Sequence, residues 1–256
     1  MAQTQIGAQL YTLRDHLKTP DDMARTFERV KAMGYDAVQC SALGPIESQA
    51  LGKLLRDADL QCAVTHVSPE LITDTNACVD HHRALDCKYT AVGGAGRLLT
   101  AEQWIDFATT YNTAAMALAE HDIYAGYHNH SHELARYGGQ CALDLILDHT
   151  GPPVWIELDT YWIVYGGGDP ISWIDWLGAM DGNRVPCIHV KDMAVTPQAE
   201  QMMCEVGEGN LNWPGIIDAA RRADVQWYLV ERDNGELDPF ESLKISLDNM
   251  KAMGLA

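Results

Sequence analysis

Val154-Trp155-Ile156-Glu157-Leu158-Asp159 is a short β-type run that ends in carboxylates. Its apolar and aromatic residues mark a buried strand. An acid at the end of such a strand must be paired, hydrogen-bonded or bound to an ion, because burying a bare charge is costly. Similar runs are Ile6 to Leu10, Ala37 to Gln39, Cys62 to His66, Tyr89 to Val92, Ile123 to Asn129, Cys187 to Val190 and Trp227 to Glu231, which with Val154 to Leu158 make eight. Most are roughly 30 residues apart, the length of a βαβ repeat, and the one long gap, between Asp192 and Asp224, reads as extra loop.

Helix punctuation fills the intervals. Thr19-Pro20-Asp21-Asp22 opens a helix that Met33-Gly34 closes. Leu99-Thr100-Ala101-Glu102-Gln103 reads as a capping box, while Asp169-Pro170 and Asn212-Trp213-Pro214 supply further starts, and the last helix runs from about Pro239 to Met253 before Gly254. Strands alternating with helices predict a parallel sheet in an α/β fold. No G-x-G-x-x-G follows the first strand, and Gly93-Gly94-Ala95-Gly96 lacks the Lys-Ser/Thr of a phosphate loop, so no nucleotide cofactor is expected. The expectation is one (β/α)8 TIM barrel spanning residues 1–256, with that glycine loop at its mouth.

A net charge of −18, from 36 acids against 18 bases, argues against nucleic acid or an anionic membrane as partner. No apolar run is long enough to span a bilayer, and Met1 to Gln5 has no leader character, so a cytoplasmic location is expected. The seven cysteines form no C-x-x-C pair and read as buried free thiols.

In such a barrel, chemistry comes from the C-terminal ends of strands. Four late strands run into Tyr127-His128-Asn129-His130-Ser131-His132-Glu133, Glu157-Leu158-Asp159, His189-Val190-Lys191-Asp192 and Glu231-Arg232-Asp233. Separate strand-end ion pairs would account for any one of these groups, but four at one rim point to a shared cation. Oxygen and imidazole donors without thiolate suit one divalent ion, Mn²⁺, Mg²⁺, Co²⁺ or Zn²⁺.

His128 and His130 share one strand face, with Asn129 on the other. Either imidazole serves as acid/base or substrate contact, or the two hydrogen-bond within the barrel. His66 and Tyr11 end strands at the mouth, where they reach substrate or support residues that do. Lys191 and Arg232 hold an anionic substrate group or neutralise the crowded acids. Glu208, between glycines, reads as a turn and His132 as solvated. Trp162 and Tyr165 offer an apolar wall to a sugar ring, whereas Trp173 and Trp176, at helical spacing, read as core.

Taken in order, Gln9-Leu10-Tyr11-Thr12-Leu13-Arg14, Met33-Gly34-Tyr35-Asp36, Tyr127-His128-Asn129-His130 with Glu133, Leu158-Asp159-Thr160, His189-Val190-Lys191-Asp192 and Val206-Gly207-Glu208-Gly209 resemble the sugar phosphate isomerase/epimerase branch of the xylose isomerase-like barrel superfamily. The resemblance covers almost the whole chain. It implies a metal held by carboxylates from strands five, six and eight and a histidine from strand seven, here Glu133, Asp159, His189 and Glu231. Relatives differ in the strand-five ligand, and Glu133 lies several residues past its strand, which leaves open that it meets substrate while a histidine or water completes the shell.

The expected reaction is metal-dependent isomerisation or epimerisation of a small sugar, keto-sugar or sugar phosphate through an enediolate. Glu133 or Glu231 would double as base, with His128 or His130 assisting. A lyase or dehydratase on keto-inositol or 3-keto-glycoside substrates shares that chemistry. A non-catalytic sugar-binding barrel subunit is the alternative of another class, and the charge disfavours a DNA-repair endonuclease. Association into a homo-oligomer is expected from the resemblance alone.

Overall fold

A computed structural model describes residues 5–255, so the reading of Met1 to Gln5 falls largely outside the described residues. The eight expected strands form as β1 (Gln5–Gln9), β2 (Ala37–Cys40), β3 (Gln61–His66), β4 (Tyr89–Val92), β5 (Tyr124–His128), β6 (Val154–Asp159), β7 (Cys187–Val190) and β8 (Trp227–Val230). All pair in parallel, and β8 closes onto β1, giving a closed barrel and not an open sheet.

The principal helices are α1 (Pro20–Met33), α2 (Ser48–Asp57), α3 (Thr75–Leu85), α4 (Ala101–Ala119), α5 (Ala142–Asp148), α6 (Pro170–Ala179), α7 (Trp213–Arg222) and α8 (Pro239–Ala252). Their ends follow from local chemistry. Thr19 with Asp22, and Thr100 with Gln103, form reciprocal capping boxes that satisfy orphan amides of α1 and α4. Asp169 and Asn212 cap α6 and α7. Gly34 ends α1 at φ 101°, a left-handed conformation that favours glycine. No helix among the described residues is long and apolar enough to cross a membrane.

Two hydrophobic layers result from period-two alternation along the strands. Outside the barrel, the strands pack against the helices. Inside, Ala37, Val64, Ala91, Trp155, Cys187, Trp227 and Leu229 fill the lower half, with Tyr89 and Tyr124 packed on them. Trp155 lies so close to β5 that a Cβ on Gly126 would stand 2.4 Å from its ring, which excludes any side chain there. This apolar plug confines polar chemistry to the C-terminal half of the barrel.

The long gap after β7 is not plain loop. It holds an antiparallel hairpin, Asp192–Val195 with Gln201–Cys204. All seven cysteines are buried and free. Trp176 departs from the core reading: it packs on Trp173 at 5.1 Å but is 43% exposed, because α6 turns that edge away from the barrel.

Candidate active site

Alternation on β6 turns both Glu157 and Asp159 inward, one layer apart. The register Asp159↔His189 sets β6 beside β7, and His128↔Glu157 sets β5 beside β6. Glu231 directly follows β8. As a result His128, Asp159, His189 and Glu231 converge, each offering a ligand atom within 4.8 Å of the others. All four are buried. His189 Nδ1 lies 2.8 Å from Glu231 Oε2 and 3.7 Å from Asp159 Oδ2, and His128 Nε2 lies 3.3 Å from Asp159 Oδ2.

Lys191 supplies the fixed countercharge. Its Nζ stands 3.0 Å from Asp159 Oδ2, 2.8 Å from Glu231 Oε2 and 2.9 Å from Asp233 Oδ1. Burial alone would raise the Asp159 and Glu231 carboxyls, but Lys191 and the adjacent imidazoles hold both well below the ordinary range. Asp233 has the same lysine yet rises to about 7, because its own burial and the neighbouring Glu231 charge prevail. Burial and the charge of His189 push His128 down to about 3, so it stays neutral and able to ligate. His189 goes the other way: burial opposes its charge, but Glu157 and Glu231 hold its pKa well above the usual imidazole value.

His128 Nδ1, His189 Nδ1 and Glu231 Oε2 are buried without a hydrogen bond. Unpaired polar atoms at such depth are rare, and each calls for a reason. Glu231 Oε2 has Lys191 and His189 close by, neither in hydrogen-bonding orientation. Two imidazoles and two carboxylates, three of whose polar atoms make no hydrogen bond, fit a hard divalent cation well.

Above this group opens a cavity of about 530 Å³ lined by Tyr11, Ser41, Ala42, His66, Val67, Gly93, His128, His130, Trp162, Lys191, Glu231 and Asp233. Tyr11, His66 and Trp162 thus face the space where the sequence reading put them, and Gly93 brings backbone from the glycine loop. Trp162 packs 5.5 Å from the His130 ring. Burial lowers the His130 pKa, leaving a neutral imidazole whose Nδ1 has no partner.

Glu133 is not brought into the group. The 3-10 turn His132–Leu134 folds it back, so that Oε1 accepts from Tyr127 Oη at 2.7 Å and Oε2 from the His130 amide at 2.9 Å. It does not line the cavity either, and the strand-five donor beside Asp159 is His128. Arg232 is also turned away. It pairs with Glu205, donates to Asn234 O at 2.7 Å, and lines a separate cavity beside Arg14 and Asp15. Tyr165, 48% exposed, lies outside the cavity, and His132 is 40% exposed, with Nε2 at 3.2 Å from Gly96 O. Glu208 accepts from Asn249 at 2.8 Å, away from the site.

The sequence reading gives Glu157 no role beyond that of a strand-end acid and does not single out Gln39. Glu157 accepts from Gln39 Nε2 at 2.8 Å and stands 2.5 Å from His66 Nε2 and 3.2 Å from His189 Nε2. Its spacing of two from Asp159 was the available signal.

A family model for xylose isomerase-like TIM barrels matches residues 27–253. Among solved structures, a sugar phosphate isomerase/epimerase from Parabacteroides distasonis is 24% identical with a TM-score of 0.81, over 98% of this chain and 95% of that one. An L-ribulose 3-epimerase is 16% identical with a TM-score of 0.72, over 99% and 95%. A D-allulose 3-epimerase from Methylomonas sp. is 15% identical with a TM-score of 0.72, over 98% of each. At these identities the likeness is one of fold. No curated protein matches the chain.

Proposed function

The chain belongs to the xylose isomerase-like TIM barrel family, and from that premise we propose that it is a divalent-metal-dependent isomerase or epimerase of a small, unphosphorylated ketose. The observation that carries the reading is the convergence of His128, Asp159, His189 and Glu231, with three donor atoms bare, beneath a polar cavity. A divalent ion held by these residues would polarise neighbouring substrate oxygens and lower the cost of ionising the intervening C–H.

The rest falls to side chains of this chain. Glu231 borders the cavity as a carboxylate and takes the proton, while the neutral His130 imidazole on the β5 side exchanges one with the other face. Trp162 offers its ring to the apolar side of the sugar, and Tyr11 and His66 hydrogen-bond its hydroxyls. The one ammonium or guanidinium group in the lining is Lys191, which three carboxylates already engage. Beyond an ion held at the floor, the lining therefore offers a phosphate no free cation, which favours a neutral substrate. Two of the similar structures carry the names of ketose 3-epimerases, which agrees with that class.

The test is metal analysis before and after chelation, with a panel of ketoses followed by NMR in D2O. About one ion per chain and deuterium at the carbon beside the carbonyl support the reading. A labelled epimer, aldose or dehydrated product then separates epimerase, isomerase and lyase. Absence of both metal and exchange would leave a sugar-binding barrel without catalysis.

A further inference from the structure

A chain of hydrogen bonds with a single allowed direction runs under the cavity floor. It starts at the Tyr11 backbone N–H, which donates to Gln9 Oε1 at 3.0 Å. A backbone amide has no acceptor to offer, so the Gln9 carbonyl must face it and the Gln9 amide nitrogen must point onward. The register Gln9↔Gln39 puts the two glutamines side by side, and Gln9 Nε2 donates to Gln39 Oε1 at 2.9 Å. The Gln39 nitrogen is thereby aimed at Glu157, donating to Oε1 at 2.8 Å. All three side chains are fully buried, so no solvent offers another arrangement.

Gln39 Oε1 has one further neighbour, His189 Nε2, at 2.6 Å. A carbonyl oxygen only accepts, so that nitrogen must carry a hydrogen. The other ring nitrogen, Nδ1, makes no hydrogen bond and faces Glu231 Oε2 at 2.8 Å and Asp159 Oδ2 at 3.7 Å. We infer that Gln9 and Gln39 are positioning residues that hold a hydrogen on His189 Nε2, so that Nδ1 is the nitrogen turned to the carboxylates of the cavity floor and the one whose proton an ion would displace. The consequence for metal binding rests on the function proposed above, whereas the position of the hydrogen does not.

Nitrogen-15 NMR of histidine-labelled protein tests this directly, with the His189 signals assigned by their loss in His189→Gln. The expected result is a protonated Nε2 in the metal-free protein and again after Zn²⁺ is added, with Nδ1 as the nitrogen whose signal moves. A bare or zinc-shifted Nε2 overturns the inference even if zinc binds. A protonated Nε2 in protein that binds no zinc supports the inference and removes the metal reading. In Gln39→Met, zinc affinity measured against a competing chelator should fall about 10–100-fold, as is typical when a partner of a ligating histidine is lost. An unchanged affinity with an unchanged Nε2 signal in that variant would also overturn it.

Discussion

Lys191 Nζ and Glu231 Oε2 stand 2.8 Å apart at the floor of the cavity, with Lys191 only 2% exposed. The same ammonium neutralises Asp159 and Asp233. Lys191→Met would leave three crowded carboxyl groups without their ammonium, with His189 as the remaining countercharge. Breaking a buried pair costs about 3–5 kcal/mol, a fall in Tm on the order of 10 °C for a chain of this size. A divalent ion on the same oxygens would replace part of the missing charge. Thermal melts in chelator and in Zn²⁺ should therefore show a larger metal-induced rise in Lys191→Met than in the unmodified protein. Equal rises would mean that ion and lysine do not share carboxylates.

His128 and Glu133 make opposite predictions. His128→Ala removes a donor of the converging group and should lower zinc affinity by at least the ~10–100-fold typical of residues that merely support a ligand. Glu133→Gln keeps the shape of a side chain bound to Tyr127 and His130 and should leave metal stoichiometry unchanged. Metal analysis of the two variants decides between them, and loss of metal in Glu133→Gln alone would restore the ligand set implied by the sequence resemblance.

The difference between these two residues shows where sequence reading stopped. Strand positions and helix caps were legible because hydrophobic period and capping chemistry are local, as at Thr100 with Gln103 and at Val154 to Asp159. Asp159, His189 and Glu231 were legible as polar ends of apolar runs. The placement of Glu133 was not, because a 3-10 turn reverses the chain just after β5 and hands its carboxylate to Tyr127 and the His130 amide. Gln9, quoted only as the start of a motif, and Gln39 have no legible role in the sequence because their meaning lies in a pairing across strands, which a single sequence does not display.

His82 tests the electrostatics of the outer layer. Its Nδ1 faces Cys78 O at 2.7 Å and must donate, leaving Nε2 to accept from the Thr65 hydroxyl at 2.8 Å. Burial pulls this imidazole from 6.5 down to about 4. A depressed histidine favours the folded state fully above pH 6.5, and that contribution is lost as pH falls through about 4. The share is roughly 3 kcal/mol. Urea unfolding at pH 7 and pH 4 should show His82→Gln losing less stability between the two than the unmodified protein, by about that amount. Parallel losses would mean that His82 titrates normally.

Asp192 organises the loop that follows the hairpin. Its Oδ1 accepts from the amides of Met193 at 2.8 Å and Leu211 at 3.2 Å. Its Oδ2 accepts from the amides of Gly207 at 2.9 Å and Gly209 at 3.1 Å and from Trp213 Nε1 at 2.6 Å. A Cβ on Gly209 would stand 2.4 Å from Oδ1, so the glycine is required by close approach to the carboxylate. Asp192→Asn is nearly isosteric, yet either orientation of its amide turns an NH2 toward at least two N–H donors. Hydrogen bonds to a charged group are worth about 1.5–3 kcal/mol each, so the variant should lose about 3 kcal/mol or more in urea unfolding. Because Asp192 follows Lys191 directly, loosening of this loop should also reach the site and appear as weaker zinc binding. A variant with the stability of the unmodified protein would show that the carboxylate charge contributes nothing to closing the loop.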